Sequence, residues 1–169
     1  MTDPAIRKMP KTMRLDQSDD YVFEHAADAG EWAISGAFEF ADAEPEDLTS
    51  KQRLAFAQGF LGLNSFGRST VVSVTSATEA DIETAIAALT ELLIDRYGAP
   101  NREAARAAAE EEVGFALDLC DPYPVNQLLL VAREMTDDGI HESYSAAEKP
   151  GRLDHAKIWT IVPDDEAVS

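Results

Sequence analysis

Between Thr78 and Cys120 the chain is written for two helices in direct succession, with no strand-like segment separating them. Ile82, Ile86, Leu89 and Leu93 recur at the spacing of one helix face, after a Thr78 cap and ahead of Gly98 and Pro100, which stop the run. Glu79, Asp81 and Glu83 fall in the first turn, where the helix dipole favours negative charge. Asn101 caps the second helix, from Arg102 to about Leu119, whose face is Ala105, Ala109, Val113, Ala116 and Cys120. Alanines on that face let a neighbouring element approach closely. Strand-like patterns lie on either side of this helical block and do not alternate with it. A doubly wound parallel sheet needs such alternation. The expected fold is therefore α+β: an antiparallel or mixed sheet built from N- and C-terminal hairpins, with two or three helices packed on one face.

Tyr21 to Phe40 reads as the first hairpin. Trp32, Ile34, Gly36, Phe38 and Phe40 alternate with smaller or polar residues, and Asp28-Ala29-Gly30 supplies the turn. After the acidic linker Ala41 to Asp47, Thr49 and Gln52 form a capping-box pair that opens a helix. Leu54, Phe56, Ala57, Phe60, Leu61 and Leu63 extend its apolar face, so Gly62 or Asn64 is expected to end it in the left-handed conformation. Thr70 to Ser76, with Val71, Val72 and Val74, is a core strand. Gln127 to Ala147 forms a second hairpin turning at Asp137-Asp138-Gly139, and Leu128 to Ala132 is apolar on both faces, as in a strand inside a sheet. Lys157 to Val162 is a last strand. The expected organisation is a flexible N-terminal arm over 1–13, a single domain over 14–163, and an acidic tail over 164–169.

Composition narrows the partners. A net charge of −18 over 169 residues argues against binding a nucleic-acid backbone or an anionic membrane surface, because both require neutralising Lys and Arg. The lone cysteine, Cys120, excludes an intramolecular disulfide and suits a reducing compartment. No apolar run approaches the roughly 20 residues of a spanning helix. A cytoplasmic protein is expected.

The residues with chemical potential are few. Cys120 sits at a helix C-terminus beside Asp121, where a thiolate is disfavoured, and reads as a buried structural residue. His25, His141 and His155 stand on separate elements without metal-ligand spacing, and Glu110-Glu111-Glu112 reads as a solvated helix face. The stretch GFLGLNSFGRST carries Gly59, Gly62 and Gly67 but lacks the Gly-Lys-Ser/Thr of a phosphate loop. A close backbone approach explains those glycines, and a small polar site could gather at Asn64, Arg68 and Ser69. No catalytic residue, metal site or cofactor is expected. The candidate ligand-binding residues are His25, Trp32, Asn64, Arg68 and Ser69, in a pocket between sheet and helices that could also draw on Cys120.

The segments EWAISGAFEFAD, FAQGFLGLNSFGRSTVV and EEEVGFALDLCD, followed by a hairpin ending DDGIHESY, together resemble a family of short acidic alphaproteobacterial proteins known as a domain of unknown function. The resemblance covers roughly Arg14 to Tyr144. It implies an accessory factor, in the setting of a metalloenzyme, and brings no activity, cofactor or site residue with it. The first functional expectation is a non-catalytic accessory or protein-interaction domain, or a homodimer through its sheet or its Ala-rich helix, with Tyr144 and Trp159 as aromatic anchors. The alternative is a small-molecule-binding domain or modest enzyme with a pocket near His25, Asn64 and Arg68.

Overall fold

The computed structural model describes residues 7–14, 23, 25–41, 43–147 and 161–163. Its strands are β1 (Arg7–Met13), β2 (Ala33–Ile34), β3 (Phe60–Gly62), β4 (Arg68–Ser69), β5 (Val71–Ala77), β6 (Leu128–Thr136), β7 (Gly139–Ala147) and β8 (Ile161–Pro163). Its helices are α1 (Ser50–Gln58), α2 (Glu79–Tyr97) and α3 (Arg102–Cys120). A five-stranded antiparallel sheet runs in the order β1-β5-β6-β7-β8, and a three-stranded antiparallel sheet runs β2-β3-β4. The fold is α+β.

Strand β1 corrects the expected flexible arm, because residues 7–13 border both sheets. Along one edge β1 pairs with the whole of β5. Along the other, Lys11 bridges Trp32, the Thr12 amide donates to the Glu31 carbonyl at 2.8 Å, and the Gly30 amide donates to the Thr12 carbonyl at 2.9 Å. Met9 is fully buried and Thr12 nearly so. The two lysines of β1 have partners. The Lys8 ammonium donates to the carbonyls of Asp121 and Tyr123, at 3.2 and 2.6 Å, just past the C-terminus of α3, where the helix dipole favours a cation. Lys11 stacks over Trp32, 4.5 Å from the ring centre. Pro10 is tolerated because β1 is the border strand of the large sheet.

The helix starts follow their caps. Thr49 and Gln52, and Thr78 and Asp81, form reciprocal capping boxes, while the Asn101 side chain accepts from the Ala104 amide at 2.8 Å. Gly98 closes α2 in the left-handed conformation, with φ 67°. Helix α1, however, ends at Gln58 and does not reach Leu63. At Gly59 the backbone is already extended, with φ −105° and ψ 130°. Phe60 and Leu61 are both fully buried but in different cores, which successive residues achieve on a strand, where side chains alternate between faces.

The first hairpin does not form as expected either. Among the described residues of this stretch the strand is Ala33–Ile34, which pairs with β3, while Ala26 and Trp32 make isolated bridges. Gly36 then takes φ 77° and turns the chain into a 3-10 segment, Ala37–Phe40, that carries Phe38 and Phe40. Arg68 and Leu61 pack so closely there that a side chain at position 36 would meet them at 2.7 and 2.6 Å. Tyr21, Val22 and Glu24 lie outside the described residues. The second hairpin is β6–β7, turning into Gly139 at φ 116°, and β6 is interior between β5 and β7. The last strand appears as Ile161–Pro163 beside Ser145–Ala147; residues 157–160, Trp159 among them, and the tail 164–169 lie outside the described residues.

Two cores result. Ala85, Leu89, Ala109 and Val113 close the α2–α3 pair around Met9, Ile34 and Leu61. Phe60, Val72, Val74, Leu129 and Val131 cover the sheet beneath Cys120. Each large side chain buried this way contributes about 1.5–3 kcal/mol. Among the described residues no helix is long and apolar enough to cross a membrane.

Candidate functional site

Backbone pairing brings two of the sequence candidates together. The Arg68 amide donates to the His25 carbonyl at 2.9 Å and the Ala27 amide donates to the Arg68 carbonyl at 2.8 Å, so β4 carries the 25–27 segment alongside it. This approach requires Gly67, because a side chain there would lie 2.6 Å from the Ala26 carbonyl group. The result is a cleft of about 260 Å³ whose wall includes both His25 and Arg68. Four aromatic rings line it: Phe23, Phe40, Phe66 and Tyr97. Lys51 and Gln52, in the first turn of α1, form part of the rim. Phe66 is held at φ 60°, a conformation that costs a non-glycine residue about 1–2 kcal/mol.

Arg68 is committed to the fold. Its guanidinium donates to the carbonyls of Gly59 and Gly36, each at 3.0 Å, and to the Glu39 carboxylate. Burial pulls its pKa down, opposed by the pairing with Glu39. The Tyr97 hydroxyl donates to the other Glu39 oxygen, and burial together with that carboxylate drives the phenol far above its usual range. The cleft therefore has buried Arg68 at its base, bonded to Glu39, with Tyr97, His25 and Lys51 exposed around it.

The other three candidates do not line this cleft. The Asn64 amide donates to Glu31 at 2.8 Å, Trp32 stacks under Lys11, and the Ser69 hydroxyl is fully buried, shared between the Met13 and Val71 carbonyls at 3.1 and 2.9 Å. The residue that organises the Gly-rich loop is Glu31, which the sequence reading passed over. Its carboxylate accepts from the amides of Asp28, Asn64 and Ser65 and from the Ser65 hydroxyl, at 2.6 to 2.8 Å. Burial alone would raise its pKa; the bonds from Ser65, Asn64 and Asp28 outweigh that and hold it below the usual carboxylate range.

A second polar network lies under the β6–β7 hairpin. Arg133, fully buried in its side chain, donates to Glu142 at 2.7 Å, to the carbonyls of Phe56 and Gly59 at 2.7 and 3.0 Å, and to Ser35. The Gly59 carbonyl thus accepts from Arg68 and Arg133 alike. Glu142 also accepts from the Ser35 and Tyr144 hydroxyls. Burial pushes its pKa up, but these donors and Arg133 bring it below the usual range. Across from it on α3, Glu112 moves the other way, raised by burial and by the neighbouring Glu142 and Glu111.

Above this network Phe115 of α3 stands 45% exposed, its ring 6.0 Å from that of Tyr144. Tyr144, expected as an anchor, is wedged between Phe115 and Phe60, the latter 6.1 Å away, and is only partly exposed. The exposed aromatic at this surface is Phe115. Glu111 and Asp118 flank it on the exposed side of the helix.

Cys120 is buried, and burial in the sheet core, with Asp121 adding to it, pushes its thiol up to about 12. It does not border the cleft. A colorimetric disulfide reagent is expected to leave the folded protein unlabelled over hours at pH 8 and to titrate one thiol in denaturant; rapid labelling without denaturant would contradict this placement. His25 borders the cleft and His141 stands on β7 opposite Glu134, so the structure does not join these two, and His155 lies outside the described residues. Among the described residues no three His, Cys, Asp or Glu side chains converge in a geometry that could hold a metal ion.

Comparison with known proteins gives one match. Residues 7–162 match a family of unknown function (DUF6505). The matched span takes in β1 and extends past the Arg14 to Tyr144 stretch of the expected resemblance. No curated protein matches, and no solved structure matches.

Proposed function

Because the chain belongs to this family of unknown function, which carries no activity with it, we propose from its own geometry that it is a non-catalytic accessory domain acting through a protein partner. The observation that carries this reading is Phe115: a large ring, 45% exposed, on a helix whose other outward residues are mostly small or charged. Aromatic side chains that stand in water on a rigid helix are the residue type from which interface hot spots are built. Beneath it, Tyr144 and the Arg133–Glu142 pair hold the hairpin in place, so the ring is presented on a rigid base. Glu111, Glu112 and Asp118 around the ring select a partner with a basic rim, since opposite charges steer encounter and like charges exclude wrong partners.

The groups elsewhere that could do chemistry are engaged in the architecture. Arg68 and Arg133 donate to backbone carbonyls, Glu31 accepts four donors, and Cys120 is buried. The test compares Phe115→Glu with wild type. The variant is expected to keep its circular dichroism and melting temperature and to lose, by about tenfold or more, the affinity for the partner, or for a second copy, that co-purifies with the wild-type protein. A native-source preparation that is monomeric and free of any stoichiometric partner would overturn the proposal.

A further inference from the structure

The cleft beside His25 supports a separate inference, independent of the α3 surface. We infer that it is a binding site for a small aromatic carboxylate. Charge makes the first argument. In a chain with a net charge of −18, this cleft gathers two cations, Arg68 and Lys51, against a single carboxylate, Glu39, and that carboxylate is already bonded to Arg68 and Tyr97. The helix α1 adds to the same sign. Lys51 and Gln52 lie in its first turn, where the dipole is positive, the Gln52 amide itself being bonded to the Thr49 side chain. An anion entering here meets the Lys51 ammonium and the imidazole of His25 at the rim.

Shape and lining make the second argument. The walls are aromatic, with Phe23 and Phe40 buried, Phe66 half-buried and Tyr97 exposed at the mouth. The cleft, at about 260 Å³, is below the range of about 300–1,000 Å³ typical of pockets for drug-sized ligands, which limits the occupant to a single ring with one short substituent. Phe66 adds a third observation. Its left-handed backbone conformation aims the ring at the cleft, and Arg96 covers that ring with its guanidinium 5.8 Å from the centre. Strained residues of this kind collect at ligand clamps, where the surrounding structure over-determines them. A planar ring between Phe66 and Tyr97, with its carboxylate toward Lys51 and His25, satisfies all of these features together.

The probe is benzoate, with benzamide as its neutral counterpart of the same shape, followed through backbone amide shifts in the full-length protein. Benzoate is expected to shift the amides of His25, Lys51, Gln52 and Phe66 saturably, with a dissociation constant of about 1 mM, as befits so small a ligand. Benzamide is expected to bind about tenfold more weakly. Lys51→Gln, an exposed change that leaves the Thr49 cap intact, is expected to weaken benzoate several-fold and leave benzamide unchanged; His25→Gln is expected to act in the same direction. Absence of saturable shifts at these amides up to about 20 mM benzoate, well above the expected constant, would overturn the inference. So would equal affinity for the two probes, or undiminished benzoate binding in both variants.

Discussion

Arg133→Met is expected to lose about 3–5 kcal/mol of folding stability, the cost of breaking a buried ion pair from one side. The reason lies in what Arg133 holds. Its guanidinium ties Glu142 on β7 to Ser35 next to β2 and to the carbonyls of Phe56 and Gly59 at the end of α1. Methionine fills much of the volume but removes the Arg133 donors from the Phe56 and Ser35 carbonyls, leaves Gly59 with Arg68 alone, and strips Glu142 of its cation. Since whole domains are stable by about 5–15 kcal/mol, this is a large share of the total. In urea the midpoint should fall by about a fifth or more, with Arg133→Lys intermediate because a single ammonium cannot reach all of these acceptors. A variant within about 1 kcal/mol of wild type would mean that the network contributes little.

Removing residues 1–13 is expected to abolish cooperative unfolding. These residues supply β1, which pairs along β5 and also receives the 30–32 segment, so their loss opens both sheets at once. Met9 alone, fully buried among Ile34, Leu61 and Leu89, accounts for about 2–5 kcal/mol by the usual cost of deleting such a side chain. The truncated chain should bind a hydrophobic dye and lack a sharp thermal transition. Recovery of a wild-type melting curve by the truncated chain would show instead that the arm is dispensable.

The two results bear on how far the residues announce the structure. Local rules carried well: Thr49, Thr78 and Asn101 cap the helices that follow them, Gly98 and Gly139 take positive φ, and β6 is interior, because each depends on a few neighbouring residues. The readings that failed depend on distant partners. The Arg7–Met13 strand looked like a charged arm because its lysines find their partners at Trp32 and beyond α3. Phe60 and Leu61 looked helical because their apolar neighbours continue the α1 face, and only the presence of two separate cores makes a strand there the better solution.

The candidate site was legible in the same uneven way. Arg68 and His25 share the cleft, but Trp32, Asn64 and Ser69 serve the scaffold, since Glu31 claims the loop amides and the Ser69 hydroxyl is absorbed by backbone carbonyls. Glu31 could have been noticed as an acid between a turn and the apolar stretch that begins at Trp32, a place that asks for buried donors. Phe115 left a fainter signal: it broadens the helix stripe beyond the alanine face, which already contains enough residues to pack α3.

The accessory-domain reading is tested most directly by placing a photo-crosslinking phenylalanine analogue at position 115 in the full-length protein, in the cell it comes from, with Ser143 on the exposed side of β7 as control. A single discrete adduct from position 115, to a second copy or to one partner with a basic contact surface, and none from position 143, is the predicted result. No adduct from position 115, or the same diffuse adducts from both positions, would contradict it.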